Sequence, residues 1–356
     1  MHQANPKMIE IARQSRGYTQ KELASLLPNI SQPNLSKIEK GLQPLSEENL
    51  KSISVALRYP IDFFYREGLR TPFSNIYFRK RTTVSQRSLD LIFSDVYIIL
   101  LAIDDLISEV ELREYAKYTF DFSDGWTAES IASRLREIMD ISSGPIKNLV
   151  EVIEEEGIVL YFYDTAEEKF DGLTAYTNKG IPVIFINKNM PNDRIRFTLC
   201  HELAHLVAHI PCDVEPWRDV EHEANDIASA ILMPKTDCLR DLKLLSYNKL
   251  TGLKAYWGVS KAAIIRRAKT LGAINEATYK YLMIELGRRG ERKAEAGFVE
   301  LDDPKTVIEV IDLLKTKLNH TDDIIAENMA LETIDFAKYF EPTSTRIKVR
   351  SIRRAI

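Results

Sequence analysis

The stretch Thr198-Leu-Cys-His-Glu-Leu-Ala-His-Leu-Val-Ala-His209 constrains this chain more than any other. Leu199, Leu203, Leu206 and Val207 recur at helical spacing, so the stretch reads as a helix buried against a core. On that helix His201 and His205 share one face, with Cβ atoms about 5–6 Å apart. One Zn²⁺ ion fits that bite, because Zn–N bonds are about 2.0–2.1 Å. Glu202 sits about 100° round the helix from His201. There a carboxylate can take a proton from water beside the ion instead of binding the ion itself.

The flanking sequence supports a built site. Gly172-Leu-Thr-Ala-Tyr-Thr177 and Ile181-Pro-Val-Ile-Phe-Ile-Asn187 are β-rich runs around Asn178-Lys-Gly180, which predicts a hairpin. A strand beside the metal helix could hold a peptide by β-addition. Pro182 lacks a backbone donor, which predicts an edge position for its strand. His209 is about 12 Å along the axis from His201 at 1.5 Å per residue, too far to share one ion with both histidines. The extended form, with Gly and a third His downstream, is absent, because Ala208 and Pro211 occupy those places. A second helix, Val220 to Leu232 before Met233-Pro234, is the better source of a third ligand. It offers Glu221, with Asn225 four residues on and placed to orient a ligand, and the rival Glu223. Tyr176 on the hairpin is a candidate oxyanion stabiliser. Cys200 is a candidate redox-sensitive ligand or a small core residue, the latter favoured.

Arg196-Phe-Thr-Leu-Cys-His-Glu-Leu-Ala-His205 followed by Glu221-x-Glu-Ala-Asn-x-x-Ala-x-x-Ile-Leu-Met-Pro234 resembles the ImmA/IrrE family of zinc metallopeptidases, over about residues 127–275. The resemblance implies a gluzincin that cleaves a repressor. It implies that His201, His205 and Glu221 are the Zn²⁺ ligands and Glu202 the general base. Ile227 stands where the family usually has Phe, a change in the core and not in the chemistry.

The N-terminal 60 residues follow a different grammar. Thr19-Gln-Lys-Glu22 has the form of a capping box. Ser31-Gln-Pro-Asn34 opens another short helix with Pro in the first turn, and Gly41 ends it. A short helix, a tight turn and a second helix with a polar start describe a helix-turn-helix. Tyr18-Thr-Gln-Lys-Glu-Leu-Ala24 and Ile30-Ser-Gln-Pro-Asn-Leu-Ser-Lys-Ile-Glu-Lys-Gly41 are similar to the Xre/Cro repressor family. Such a domain lays its second helix in the major groove. Gln32, Pro33, Asn34, Ser36 and Lys37 are then the DNA-facing residues. Gln32 and Asn34 have amides suited to adenine, while Gln20, Lys37 and Lys40 suit phosphate. Use of the motif for protein docking or dimerisation remains the alternative.

Fold class follows as multidomain and mainly α. Residues 1–68 form an all-α, five-helix helix-turn-helix domain and 69–125 a linker with one long helix, or a helix pair, over 88–120. Residues 126–275 form an α+β zincin-like domain with a small sheet and the His-Glu-x-x-His helix. Residues 276–356 form a mostly helical C-terminal region with no assigned role. Basic runs occur at Arg79-Lys-Arg81 and from Arg346 to Arg354. The net charge of −4 carries no global nucleic-acid signature. The N-terminus lacks an apolar leader, and no apolar run reaches the roughly 20 residues of a membrane span. Three cysteines without a Cys-x-x-Cys pair point to a reducing cytoplasm. The partners expected are double-stranded operator DNA and a protein substrate such as a repressor or antitoxin, with no membrane, and two DNA half-sites favour a homodimer. A non-catalytic regulator, using the peptidase-like half as sensor or dimerisation scaffold, is the competing expectation.

Overall fold

A computed structural model describes residues 3–70, 85–108, 110–165, 167, 170–292 and 295–341. The basic runs at 79–81 and 346–354 lie outside the described residues. Two compact units are present, one made of residues 1–68 with 307–356, the other of 69–306.

The first unit begins with α1 (Pro6–Ser15), α2 (Gln20–Leu26), α3 (Gln32–Glu39), α4 (Glu47–Leu57) and a 3₁₀ segment, Ile61–Tyr65, in place of a fifth α-helix. Local chemistry sets the boundaries. The Thr19 hydroxyl accepts from Glu22 N–H while the Glu22 carboxylate accepts from Thr19 N–H, a reciprocal cap on α2. Ser46 caps α4 by accepting from Asn49 N–H. Leu23, Leu35, Ile38, Leu50, Ile53, Phe63 and Phe64 form the interior. Arg13 donates to both Glu39 oxygens, at 2.6 and 2.9 Å, and so ties α1 to α3.

The first helix of the second unit is α5 (Gln86–Ile107), shorter than the one long helix expected over 88–120 and without the second helix of the alternative pair among the described residues. Its apolar run ends at Ile107, and the acidic stretch that follows sustains no helical stripe. Phe120 N–H instead bonds the Val207 carbonyl. Then come α6 (Ala128–Ile138), α7 (Leu149–Glu154), β1 (Val159–Tyr163), β2 (Gly172–Tyr176), β3 (Pro182–Asn187), α8 (Asn192–Ala208), α9 (Val220–Leu232), α10 (Lys235–Leu242), α11 (Tyr247–Trp257), α12 (Lys261–Thr270) and α13 (Glu276–Arg288).

The sheet order is β1-β3-β2, with β1 parallel and β2 antiparallel to β3. The hairpin is present, but Pro182 lies on the central strand and not at an edge. It is tolerated because it is the first residue of β3. It faces Tyr176 across a pair that exchanges no hydrogen bonds, and it precedes the first residue paired with β1, so its missing donor falls outside both ladders. Helix α8 packs on one face of the sheet. Gly172 permits that approach, since a Cβ there would lie 2.8 Å from the Phe185 carbonyl oxygen and 3.1 Å from Thr198 Cγ2. On the other face the Tyr163 hydroxyl donates to Asp95 of α5 at 2.8 Å.

Buried arginines tie the surrounding helices together. Arg196 of α8 donates to the carbonyls of Gly258 and Ile146. Gly258 ends α11 at φ +65°, and a Cβ there would lie 2.7 Å from Arg196 Nε, so both its conformation and the close approach require glycine.

The described residues of the expected C-terminal region, 276–341, divide between the two units. Helix α13 belongs to the second unit, whereas α14 (Thr306–Lys317), α15 (Asp322–Asn328) and α16 (Thr333–Phe340) complete the first, apart from Thr306. The reason is specific bonding. Asp335 of α16, 2% exposed, accepts from both Arg16 terminal nitrogens at 2.6 and 2.7 Å. Arg66 donates to the Met329 carbonyl. No helix among the described residues is long and apolar enough to cross a membrane.

Candidate functional site

Helices α8 and α9 pack against each other and carry the site. His201 and His205 stand one turn apart, with Nε2 atoms 3.0 Å from each other. Glu221, in the first turn of α9, places carboxylate oxygens 3.5 Å from His201 Nε2 and 3.7 Å from His205 Nε2. These three residues can each offer one ligand atom to a common point, all within 4.8 Å of one another.

The hydrogen bonds behind the histidines explain why their Nε2 atoms converge. His201 Nδ1 lies 3.2 Å from Asn225 Oδ1. That oxygen only accepts, so Nδ1 carries the proton and Nε2 keeps its lone pair. His205 Nδ1 lies 2.9 Å from His209 Nδ1. The two Nε2 atoms, 3.0 Å apart, can share at most one proton, and the Glu221 carboxylate beside them adds negative potential. A cation among the three groups relieves all of it, so this donor set fits Zn²⁺, with two imidazoles and one carboxylate.

Glu202 is 1% exposed and its carboxylate reaches β2. The Thr174 hydroxyl donates to its Oε2 at 3.0 Å. Gly172 and Thr174, two apart on β2, therefore meet Thr198 and Glu202, four apart on α8. Asn187 N–H donates to the Asp171 carbonyl and Thr177 N–H to the Ile181 carbonyl, which marks these as the hydrogen-bonded pairs of the ladder. By alternation, the backbone groups of Gly172, Thr174 and Tyr176 point away from β3.

Glu223, the rival ligand, faces elsewhere. His209 Nε2 lies 3.1 Å from its Oε2, and Arg218 donates to both of its oxygens at 3.1 and 2.7 Å. Burial pushes its carboxyl up, but Arg218 and His209 outweigh this and hold it below the usual range. Burial also lowers the His209 imidazole, against the pull of Glu223. Tyr176 packs partly buried against the core, and burial raises its phenol to about 12, so it stays protonated. Cys200 is fully buried, its thiol also raised to about 12 by burial, which makes it inert core. Thr174 and Arg218 had no sequence signature. His209 had one, its spacing of four from His205, which suggests a ring contact as readily as a ligand.

In the helix-turn-helix, Gln32 donates to Gln20 Oε1 at 3.0 Å, and Gln20 donates to Glu39 at 2.8 Å. Gln20 is thereby braced against α3 and holds Gln32 at the start of that helix. Gln32, Pro33, Lys37 and Lys40 are exposed, while Asn34 and Ser36 are half-buried. Ser31 occupies the N-cap position without a side-chain hydrogen bond, and Pro33 sits in the first turn.

Residues 153–269 match the family described as IrrE N-terminal-like domain, and residues 9–64 match the helix-turn-helix family. None of the curated proteins matches the chain. The chain is therefore an XRE-type helix-turn-helix domain fused to an ImmA/IrrE-type peptidase domain.

Proposed function

We propose that this protein is a zinc-dependent endopeptidase joined to a sequence-specific DNA-binding domain. Its substrate is a protein partner such as a repressor or antitoxin, and it works in the cytoplasm as a homodimer on operator DNA. The observation that carries the peptidase reading is the convergence of two histidine Nε2 atoms and Glu221 beside the buried, hydrogen-bonded Glu202. His201, His205 and Glu221 hold the ion, and Asn225 fixes the His201 ring. Zn²⁺ held there supplies Lewis acidity toward a peptide carbonyl and toward water.

The protein's own groups do the rest. A substrate strand pairs with the outward backbone groups of Gly172, Thr174 and Tyr176, which lays its peptide bonds along β2. Glu202 takes the proton of the attacking water and returns it to the leaving amine. The Thr174 hydroxyl donates to the Glu202 carboxylate and so holds it in place. On DNA, Gln32 and Asn34 read base edges, with Pro33 and Ser36 alongside, and Gln20 and Lys37 contact phosphate.

The test is zinc per chain in wild type, Glu202→Gln and Glu221→Ala. Close to one zinc in the first two, and loss in the third, is the expected pattern. Folded wild type that takes up no supplied zinc overturns the reading. Glu202→Gln then serves as a trap for the protein that wild type cleaves. A captured partner left intact by wild type would favour the non-catalytic regulator.

A further inference from the structure

We propose that His209, Glu223 and Arg218 are positioning residues that fix His205 in the tautomer able to bind a metal. This rests on the zinc-site reading above. A histidine binds a metal through a nitrogen that carries a lone pair, so its other nitrogen must carry the proton. For His201 the acceptor that ensures this is Asn225. For His205 the neighbour at Nδ1 is another imidazole, His209, which by itself settles nothing, since either ring can donate.

Glu223 breaks that tie. Its carboxylate oxygen, 3.1 Å from His209 Nε2, can only accept, so the His209 proton resides on Nε2. In the neutral ring His209 Nδ1 is then bare and accepts from His205 Nδ1–H. That leaves the lone pair of His205 on Nε2, the atom that faces His201 and Glu221.

The outer end of the chain is anchored. Arg218 grips both Glu223 oxygens and keeps the carboxylate in an acceptor-only state. Arg218 in turn reaches Asp121 at 3.4 Å, and its guanidinium lies 5.0 Å over the Phe122 ring. Burial of His205 and His209, each 1% exposed, removes the water that could otherwise satisfy either tautomer. The spacing His201, His205, His209 is thus two ligands and a supporting ring on one helix face. Glu221 and Glu223, two residues apart on α9, divide the same labour between ion and support.

The experiment uses the zinc-free full chain and zinc itself. The ¹⁵N–¹H correlation spectrum of the imidazoles reports the His205 tautomer, and competition with a chelating dye reports zinc affinity. Wild type should show His205 protonated on Nδ1. In His209→Phe, which fills the space but offers no acceptor, the tautomer should shift and zinc affinity should fall about 10- to 100-fold. His209→Asn, whose Oδ1 can stand near the lost Nδ1, should restore both toward wild type. Glu223→Ala, at the more exposed end where folding is least at risk, should move both in the same direction as His209→Phe. If His209→Phe and Glu223→Ala keep the wild-type tautomer and affinity while Glu221→Ala loses zinc, the relay is refuted and the zinc site stands. If wild type itself binds no zinc, both fall.

Discussion

Replacing Asp335 tests whether the C-terminal helices are part of the DNA-binding unit. Breaking a buried ion pair by removing one partner costs about 3–5 kcal/mol, because the other charge is left uncompensated. Here the cost is smaller. The Arg16 side chain is 20% exposed, still donates to the Leu57 and Arg58 carbonyls, and lies 4.1 Å over the Tyr59 ring. Asp335→Ala should therefore destabilise this unit by about 2–3 kcal/mol. The chain has two units, so a single melting temperature is not a clean measure. Amide hydrogen exchange resolved by peptide is. The loss corresponds to about 30- to 150-fold faster exchange of the most protected amides, in α1 as well as in α16. Asp335→Asn, which keeps the shape and one acceptor, should give a smaller effect. Faster exchange confined to α16, with α1 unchanged, would refute the coupling.

Further outcomes follow from the same structure. Thr174→Val keeps shape but removes the donor to Glu202, leaving a buried carboxylate short of one partner. Amide hydrogen exchange in α8 should show a loss of about 1.5–3 kcal/mol with zinc stoichiometry unchanged. On duplexes selected from a random pool, Gln32→Ala should cost about 1–3 kcal/mol and relax base preference, whereas Lys37→Ala should weaken all duplexes alike and lower the log–log salt slope by about 0.9. Burial raises the Glu291 carboxyl, but Lys261 and Tyr247 outweigh it, so the folded value lies below the unfolded one. Its contribution is present above the unfolded value of about 4.3 and is lost as pH falls through the folded value. The stability gap between wild type and Glu291→Gln should therefore widen as pH rises from about 3 to 6, and a gap independent of pH would refute it.

The sequence by itself determined whatever depends on neighbours along one helix or one turn. Four-residue spacing put His201 and His205 on one face, and capping chemistry at Thr19 marked a helix start seen in the structure. Alternation around Asn178-Lys-Gly180 gave the hairpin. Each is a short-range rule that a few covalent bonds enforce. Tertiary structure decided what depends on contacts between distant segments. Glu221 and Glu223 are alike in sequence, both acids in the first turn of α9, and only the packing of α9 on α8 turns one toward His201 and the other toward His209. Pro182 looked like an edge residue because a missing donor can be read locally, while the strand order that makes it harmless cannot. Residues 276–356 looked continuous, yet an ion pair between positions 16 and 335 assigns its later helices to the other end of the chain. No local pattern marks such a pair, because its two charges attract and hydrogen-bond only once the folded chain brings them together, and that attraction must offset the cost of burying them.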